Sequence, residues 1–164
     1  MSGPPNFTAR AQGEARGSED RVFVTLSLAG QLCGIPVQSV RDVLAMHGIT
    51  RIPLAPPEIA GSLNLRGRIV TAIDLRRRLH LPPAAAKASR MAVVVEHGSE
   101  LYALLVDEVC EVIGLADDKF ERNPPTLTGV WAEHCTGVFR LAGQLMAVLD
   151  VASLLAIGAQ REAA

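Results

Sequence analysis

From Arg21 onward the chain alternates between short apolar runs and glycine-bearing turns. Val22, Val24, Leu26 and Leu28 interleave with Phe23, Thr25 and Ser27, the two-residue period of a strand with one face inward. Ala29-Gly30 follows as a tight turn, and the same device recurs at Arg66-Gly67, His97-Gly98 and Ala142-Gly143, each between apolar runs. Glycine takes positive φ without steric cost, which two-residue hairpin loops require. Four such signals predict an all-β protein. Helical spacing is confined to three places. Val37, Val40, Val43 and Leu44 recur at helical intervals, with Gly48 beyond them as a stop. Leu75–Leu79 follows Asp74, and Val151, Leu154, Leu155 and Ile157 follow Asp150, so each short helix starts at an aspartate that can cap it. Gly158 would end the second helix.

The two halves resemble one another. Residues 33–44 (CGIPVQSVRDVL) line up with 102–113 (YALLVDEVCEVI), setting Val37, Val40, Asp42 and Val43 against Val106, Val109, Glu111 and Val112. Each half then reaches a proline pair, Pro56-Pro57 and Pro124-Pro125. Residues 61–75 (GSLNLRGRIVTAIDL) then match 137–151 (GVFRLAGQLMAVLDV). Three matches in one order indicate a duplication. Short strands separated by turns favour small closed barrels. The expected organisation is a disordered leader over 1–20, a first barrel over 21–80, a linker over 81–89, a second barrel over 90–149, a C-terminal helix over 150–158 and a tail over 159–164. Barrels of about 60 residues are individually marginal, so they should share an interface, and the groove beside it is where partners would bind.

Composition removes several classes of function. Sixteen basic side chains nearly cancel seventeen acidic ones, so nothing draws the chain to nucleic acid or an anionic membrane. No apolar stretch approaches the roughly 20 residues of a membrane span, and the leader lacks the apolar core of a signal peptide. A cytoplasmic protein is expected. Cys33, Cys110 and Cys135 form no CxxC pair, and no phosphate-cradling glycine motif is present. The four histidines lack metal-ligand spacing and read as surface residues. Arg76-Arg77-Arg78 reads as a solvated helix face, and Asp74 and Asp150 as caps. No catalytic, cofactor or metal site assembles. His134 beside Cys135 leaves one alternative, a small thiol hydrolase.

The run over 61–75 resembles the signature of CheW-like domains, usually G-x-x-N-L-R-G-x-x-x-P-x-x-D-L. Residues 52–61 (IPLAPPEIAG) are similar to the family's proline-rich approach, and 34–43 (GIPVQSVRDV) to its G-I-x-I-x-x-V-x-E-I segment at the start of a helix. The likeness runs from about Arg21 to Ile157. It implies two SH3-like five-stranded barrels and an adaptor without activity or cofactor. Its implied partners are the cytoplasmic tip of a methyl-accepting chemotaxis receptor, the regulatory domain of a CheA-type histidine kinase, and other CheW-like domains, with no direct membrane insertion. Recruitment to membrane receptor arrays follows from such partners, and a non-chemotactic chemosensory pathway would use the same barrels.

Arg66 matches the family's functional arginine, and Asp42 the acidic position that pairs with it. Asn64 stands just before the turn, either touching a partner or bonding the backbone there. Ile35, Val37 and Val40 lie where the family offers an apolar rim to the receptor, though a place in the core is the favoured reading of each, and the same caution applies to Leu104 and Val106, because apolar periodicity alone does not tell a core from a groove. Thr71 replaces the usual proline, Cys33 a common aromatic, and Asp42 a longer glutamate. The second repeat has lost NLRG, so only the first carries that site.

Overall fold

A computed structural model describes residues 20–46, 52–83, 90–122 and 129–157. The expected leader up to Glu19, the Ala/Lys/Ser part of the linker, Pro124-Pro125, the helix stops Gly48 and Gly158, and the tail lie outside those residues. The described chain runs β1 (Asp20–Leu28), β2 (Gln31–Pro36), β3 (Val40–Ala45), β4 (Ile59–Leu65), β5 (Arg68–Asp74) and α1 (Leu75–Arg78). The second half follows as β6 (Met91–His97), β7 (Glu100–Val106), β8 (Glu108–Ala116), β9 (Phe120–Glu121), α2 (Gly129–His134), β10 (Cys135–Leu141), β11 (Gln144–Leu149) and α3 (Val151–Leu154). The all-β class therefore holds. Three of the four x-Gly turns fall where expected, while the third moves one residue to Gly98-Ser99, because β6 extends through His97. Both aspartate caps are made: Asp74 accepts from the Arg76 amide and Asp150 from that of Ser153.

The expected helix over Val37–Leu44 is a correction. Only Val37–Ser39 forms a 3-10 turn, and Val40–Ala45 is strand β3, pairing antiparallel with β6. Valines spaced three apart satisfy either period over so short a run, and β-branched side chains favour the pleated surface.

The division at 81–89 into consecutive barrels is a second correction. One sheet has the order β8-β1-β2-β11-β10-β9 and the other β3-β6-β7-β5-β4. Each is a hairpin from one repeat completed by strands of the other. Hairpin β1-β2 sits between β8 and β11, and hairpin β6-β7 sits equivalently between β3 and β5, with parallel pairings β2–β11 and β7–β5. The duplication is visible down to its irregularities: β3 and β8 each carry a bulge at matching positions, Arg41 and Cys110-Glu111. Sequence similarity identifies equivalent strands but not which copy each one pairs with.

This exchange also overturns the one-faced reading of β1. Phe23, Val24, Thr25, Leu26 and Leu28 are all buried. Leu26 and Leu28 join a core shared by the two sheets, with Cys33, Ile35, Ile73, Val93, Val95, Leu104, Val106 and Leu149. Phe23 instead packs with Phe139, Met146 and Val148 inside its own sheet, while Val70, Ala72, Ala92, Val94, Ala103 and Leu105 fill the other. Alternate residues of β6 and β7 thus face the private core and the shared one. Among the described residues the shared core holds seventeen buried side chains against six and four, so the two sheets cannot part without exposing the larger share of the apolar interior. Buried Thr25 fills the β8 bulge, its hydroxyl donating to the Glu111 carbonyl at 2.6 Å and accepting from the Glu111 amide at 2.9 Å.

β9 leans on β10 at Gly137, where a β-carbon would lie 2.5 Å from Phe120 Cζ and overlap the Glu121 carbonyl oxygen. Gly137→Ala is expected to cost about 1–3 kcal/mol by overpacking. Urea unfolding should show a lower midpoint with unchanged slope.

Candidate functional site

The β4–β5 hairpin turns at Arg66-Gly67, with φ of 53° and 85°. Asn64 Oδ1 accepts from the Gly67 amide at 3.0 Å, so Asn64 braces the turn while its side chain stays exposed. Arg66 Nη2 meets Asp42 Oδ2 at 3.1 Å. Asp42 is the first residue beyond the β3 bulge, and a bulge re-aims the side chains that follow it. The carboxylate thus reaches the hairpin tip although it is one methylene shorter than glutamate, and its Oδ1 accepts from the Val43 amide. Arg66 remains 78% exposed and Asp42 27%. An exposed pair of this kind contributes roughly 0.2–1 kcal/mol. Holding a non-glycine residue in the left-handed region costs roughly 1–2 kcal/mol. The tip is therefore poorly explained by stability, and it presents a guanidinium to solvent, aimed by one carboxylate.

The apolar candidates separate. Ile35 is fully buried in the shared core and offers nothing to a partner, which corrects its placement at a rim. Leu104 and Val106 are likewise core. Val37 and Val40 are half-buried, the latter packed against the shared core. Sequence reasoning passed over Ile69, 72% exposed beside the Arg66 turn, and Leu54, fully exposed. The available signal was Ile69-Val70: with Val70 and Ala72 buried in their sheet, alternation turns Ile69 outward. Between the two sheets lies an open depression of about 280 Å³, bordered by Pro36, Ser39, His97, Thr136, Asp150 and Val151.

A family model, the CheW-like domain, matches residues 22–158. The chain belongs to the CheW-like domain family. It is 27% identical over 154 residues to the chemotaxis protein CheW of Treponema pallidum, covering 92% of this chain and 91% of that one. It is 28% identical over 155 residues to the protein FrzA of Myxococcus xanthus, covering 92% and 94%. The crystal structure of the scaffolding protein TtCheW from Thermoanaerobacter tengcongensis superposes with a TM-score of 0.72 at 29% identity, over 79% of this chain and 88% of that one.

In this CheW-like chain the residues that suggested thiol chemistry are poorly disposed for it. Cys135 is buried at the start of β10, and burial together with Asp150 pushes its thiol up to about 12. Burial and the neighbouring Cys135 push Cys33 higher still. A nucleophilic cysteine needs the thiolate, which both surroundings disfavour. His134 is buried, not on the surface, and its Nδ1 lies 2.6 Å from Ser153 Oγ. Under native conditions a thiol reagent is expected to label Cys110 and leave Cys33 and Cys135 untouched, with all three reacting in denaturant. Fast native labelling of Cys135 would reopen the hydrolase reading.

The arginine run also departs from expectation. Successive helical residues diverge by about 100°, and these three meet different surroundings. Arg77 is exposed, whereas Arg76 grips Asp107 through two hydrogen bonds of 2.9 and 2.7 Å. Arg78 is buried and donates to the Ser153 and Leu154 carbonyls of α3. Among the described residues no His/Cys/Asp/Glu cluster could hold a metal, and no helix is long and apolar enough to cross a membrane.

Proposed function

We propose that this chain is a non-enzymatic adaptor that couples methyl-accepting chemotaxis receptors to a CheA-type histidine kinase. The observation that carries the reading is the Arg66 tip, a strained, solvent-facing guanidinium held by Asp42 in a CheW-like chain. Arg66 and Asp42 would form the kinase-facing contact. Val37 and Val40, half-buried near the inter-sheet groove, would line the receptor-facing one. The adaptor would act in the cytoplasm and reach receptor arrays through these contacts.

Titrating the chain with the kinase regulatory domain and a receptor-tip peptide from the same organism tests this. Micromolar or tighter binding to both supports the coupling role. Binding to neither removes it while leaving the fold untouched.

The likeness to FrzA, and a 29% identity over 112 residues to the protein PilI of Pseudomonas aeruginosa, favours a second reading, the same coupling role in a chemosensory pathway other than chemotaxis. Tight binding to a receptor–kinase pair of such a pathway, with none to the chemotaxis pair, would select it.

A further inference from the structure

The C-terminal helix α3 is short, yet it closes the shared core with Val151, Leu154 and the following Ile157. Polar bonds hold it in addition to that apolar contact. Arg78 of α1 donates to the Ser153 and Leu154 carbonyls at 3.0 and 3.1 Å. Ser153 Oγ sits 2.6 Å from His134 Nδ1 and donates to the Glu133 carbonyl at 3.0 Å. The Asp150 amide donates to the His134 carbonyl at 2.8 Å. The single hydroxyl hydrogen of Ser153 goes to Glu133, so His134 carries a hydrogen on Nδ1 and keeps that bond whether it is neutral or protonated. The two forms differ at Nε2, which is bare in the neutral ring and lies inside a residue only 3% exposed, so a proton added there brings a charge into the interior.

Protonation would put a cation on that buried ring. Arg78 from α1 already brings one, and His80, just beyond α1, also disfavours a charge on the ring. Glu133 from α2 and Asp150 at the head of α3 oppose them. Glu133 is a weak counter-charge, because its Oε1 is 3.8 Å from Nε2 and its side chain is 74% exposed. Burial first, and Arg78 second, outweigh the two carboxylates and hold the imidazole below its ordinary value.

We propose that His134 is an acid-sensitive latch that holds α3 closed when neutral and loosens it when protonated. Asp150, Val151 and Ala152 form part of the wall of the inter-sheet depression, so the latch would regulate the groove as well as the helix. The direction follows from linkage. The closed state binds its proton more weakly than an imidazole in water, so closure is fully favoured above about pH 6.5 and weakens as pH falls through the closed-state value. Each unit of separation between the two values shifts the latch equilibrium about tenfold.

Two probes read the latch in the full chain. Trp131, the single tryptophan, lies in α2 against the shared core, and the Leu154 and Leu155 amides close α3. Between pH 7.5 and 5.0, after correction for intrinsic exchange chemistry, these two amides are expected to lose about tenfold protection while the centres of β6 and β7 keep theirs. Trp131 emission should shift along the same curve, with the midpoint of the His134 resonance in imidazole proton spectra. His134→Asn keeps a donor near the Nδ1 position and is expected to be flat over this range. A wild type that is flat, a transition that persists in His134→Asn, or equal loss of protection throughout the molecule would overturn the proposal. If His134→Asn does not fold, the wild-type spectra decide alone: a Trp131 curve that fails to follow the His134 resonance overturns it equally.

Discussion

Arg66→Gly is expected to weaken binding of the kinase regulatory domain by about thirtyfold or more while leaving the fold as stable as before. The two halves of this prediction come from separate physics. Glycine removes the left-handed strain at φ 53°, a gain of roughly 1–2 kcal/mol, and gives up an exposed ion pair worth roughly 0.2–1 kcal/mol. Gly67 and the Asn64 bond to its amide remain, so the hairpin keeps its turn. An arginine at a protein interface, by contrast, commonly costs about 2 kcal/mol or more when truncated. Arg66→Ala loses the side chain but keeps part of the strain, so the two variants should bind alike and differ in melting temperature. Asp42→Asn separates aim from contact: it keeps the Oδ1 acceptor for Val43, loses the charge that orients Arg66, and should weaken binding less than Arg66→Gly. Titration calorimetry beside thermal melts checks all three. Unchanged binding in Arg66→Gly would reduce the pair to a brace between β3 and the β4–β5 hairpin.

Asp107→Ala is expected to destabilise the chain by about 3 kcal/mol, lowering the melting temperature by roughly 6–12 °C. Asp107 stands between β7 and β8, takes two hydrogen bonds from Arg76 of α1 and accepts from the Ala29 amide in the β1–β2 turn at 2.8 Å. One carboxylate therefore ties together elements of both sheets. Its side chain is 22% exposed and that of Arg76 16%, so removing the anion strands a mostly buried guanidinium and an unpaired amide. The hydrogen bonds from Arg76 hold the Asp107 carboxyl below the usual carboxylate range, against the opposing effect of burial. A depressed folded-state value contributes stability that is present above about pH 4 and is lost as pH falls through that value. Wild type and Asp107→Asn should therefore differ most near neutrality and converge in acid. Denaturant midpoints at several pH values test this, and parallel profiles would show that the pair contributes nothing specific. This loss begins below about pH 4 and that of the His134 latch below about pH 6.5, so the two have separate onsets.

Much of the architecture was legible because it depends on local chemistry. Glycine turns, aspartate caps and the order of strands follow from what each short segment can do alone. The repeat was legible because duplicated strands keep their apolar positions, and the Arg66 turn because an NLRG run is specific. The Arg66–Asp42 contact was anticipated from family resemblance, and the bulge at Arg41 is what realises it.

The remainder was decided by tertiary structure, for identifiable physical reasons. Hydrophobic periodicity shows that a side chain is buried, not against which partner. Ile35 therefore read as core first and rim second, and β2 packed between β1 and β11 is what decides for the core. The fates of Arg76 and Arg78 depend on Asp107 and on the α3 carbonyls, which lie far along the chain. Pairing between repeats is the clearest case. Equivalent strands carry nearly equivalent patterns, so local sequence is compatible with either partner. The shared core, which needs β1, β2, β6 and β7 buried on both faces, selects the exchanged arrangement.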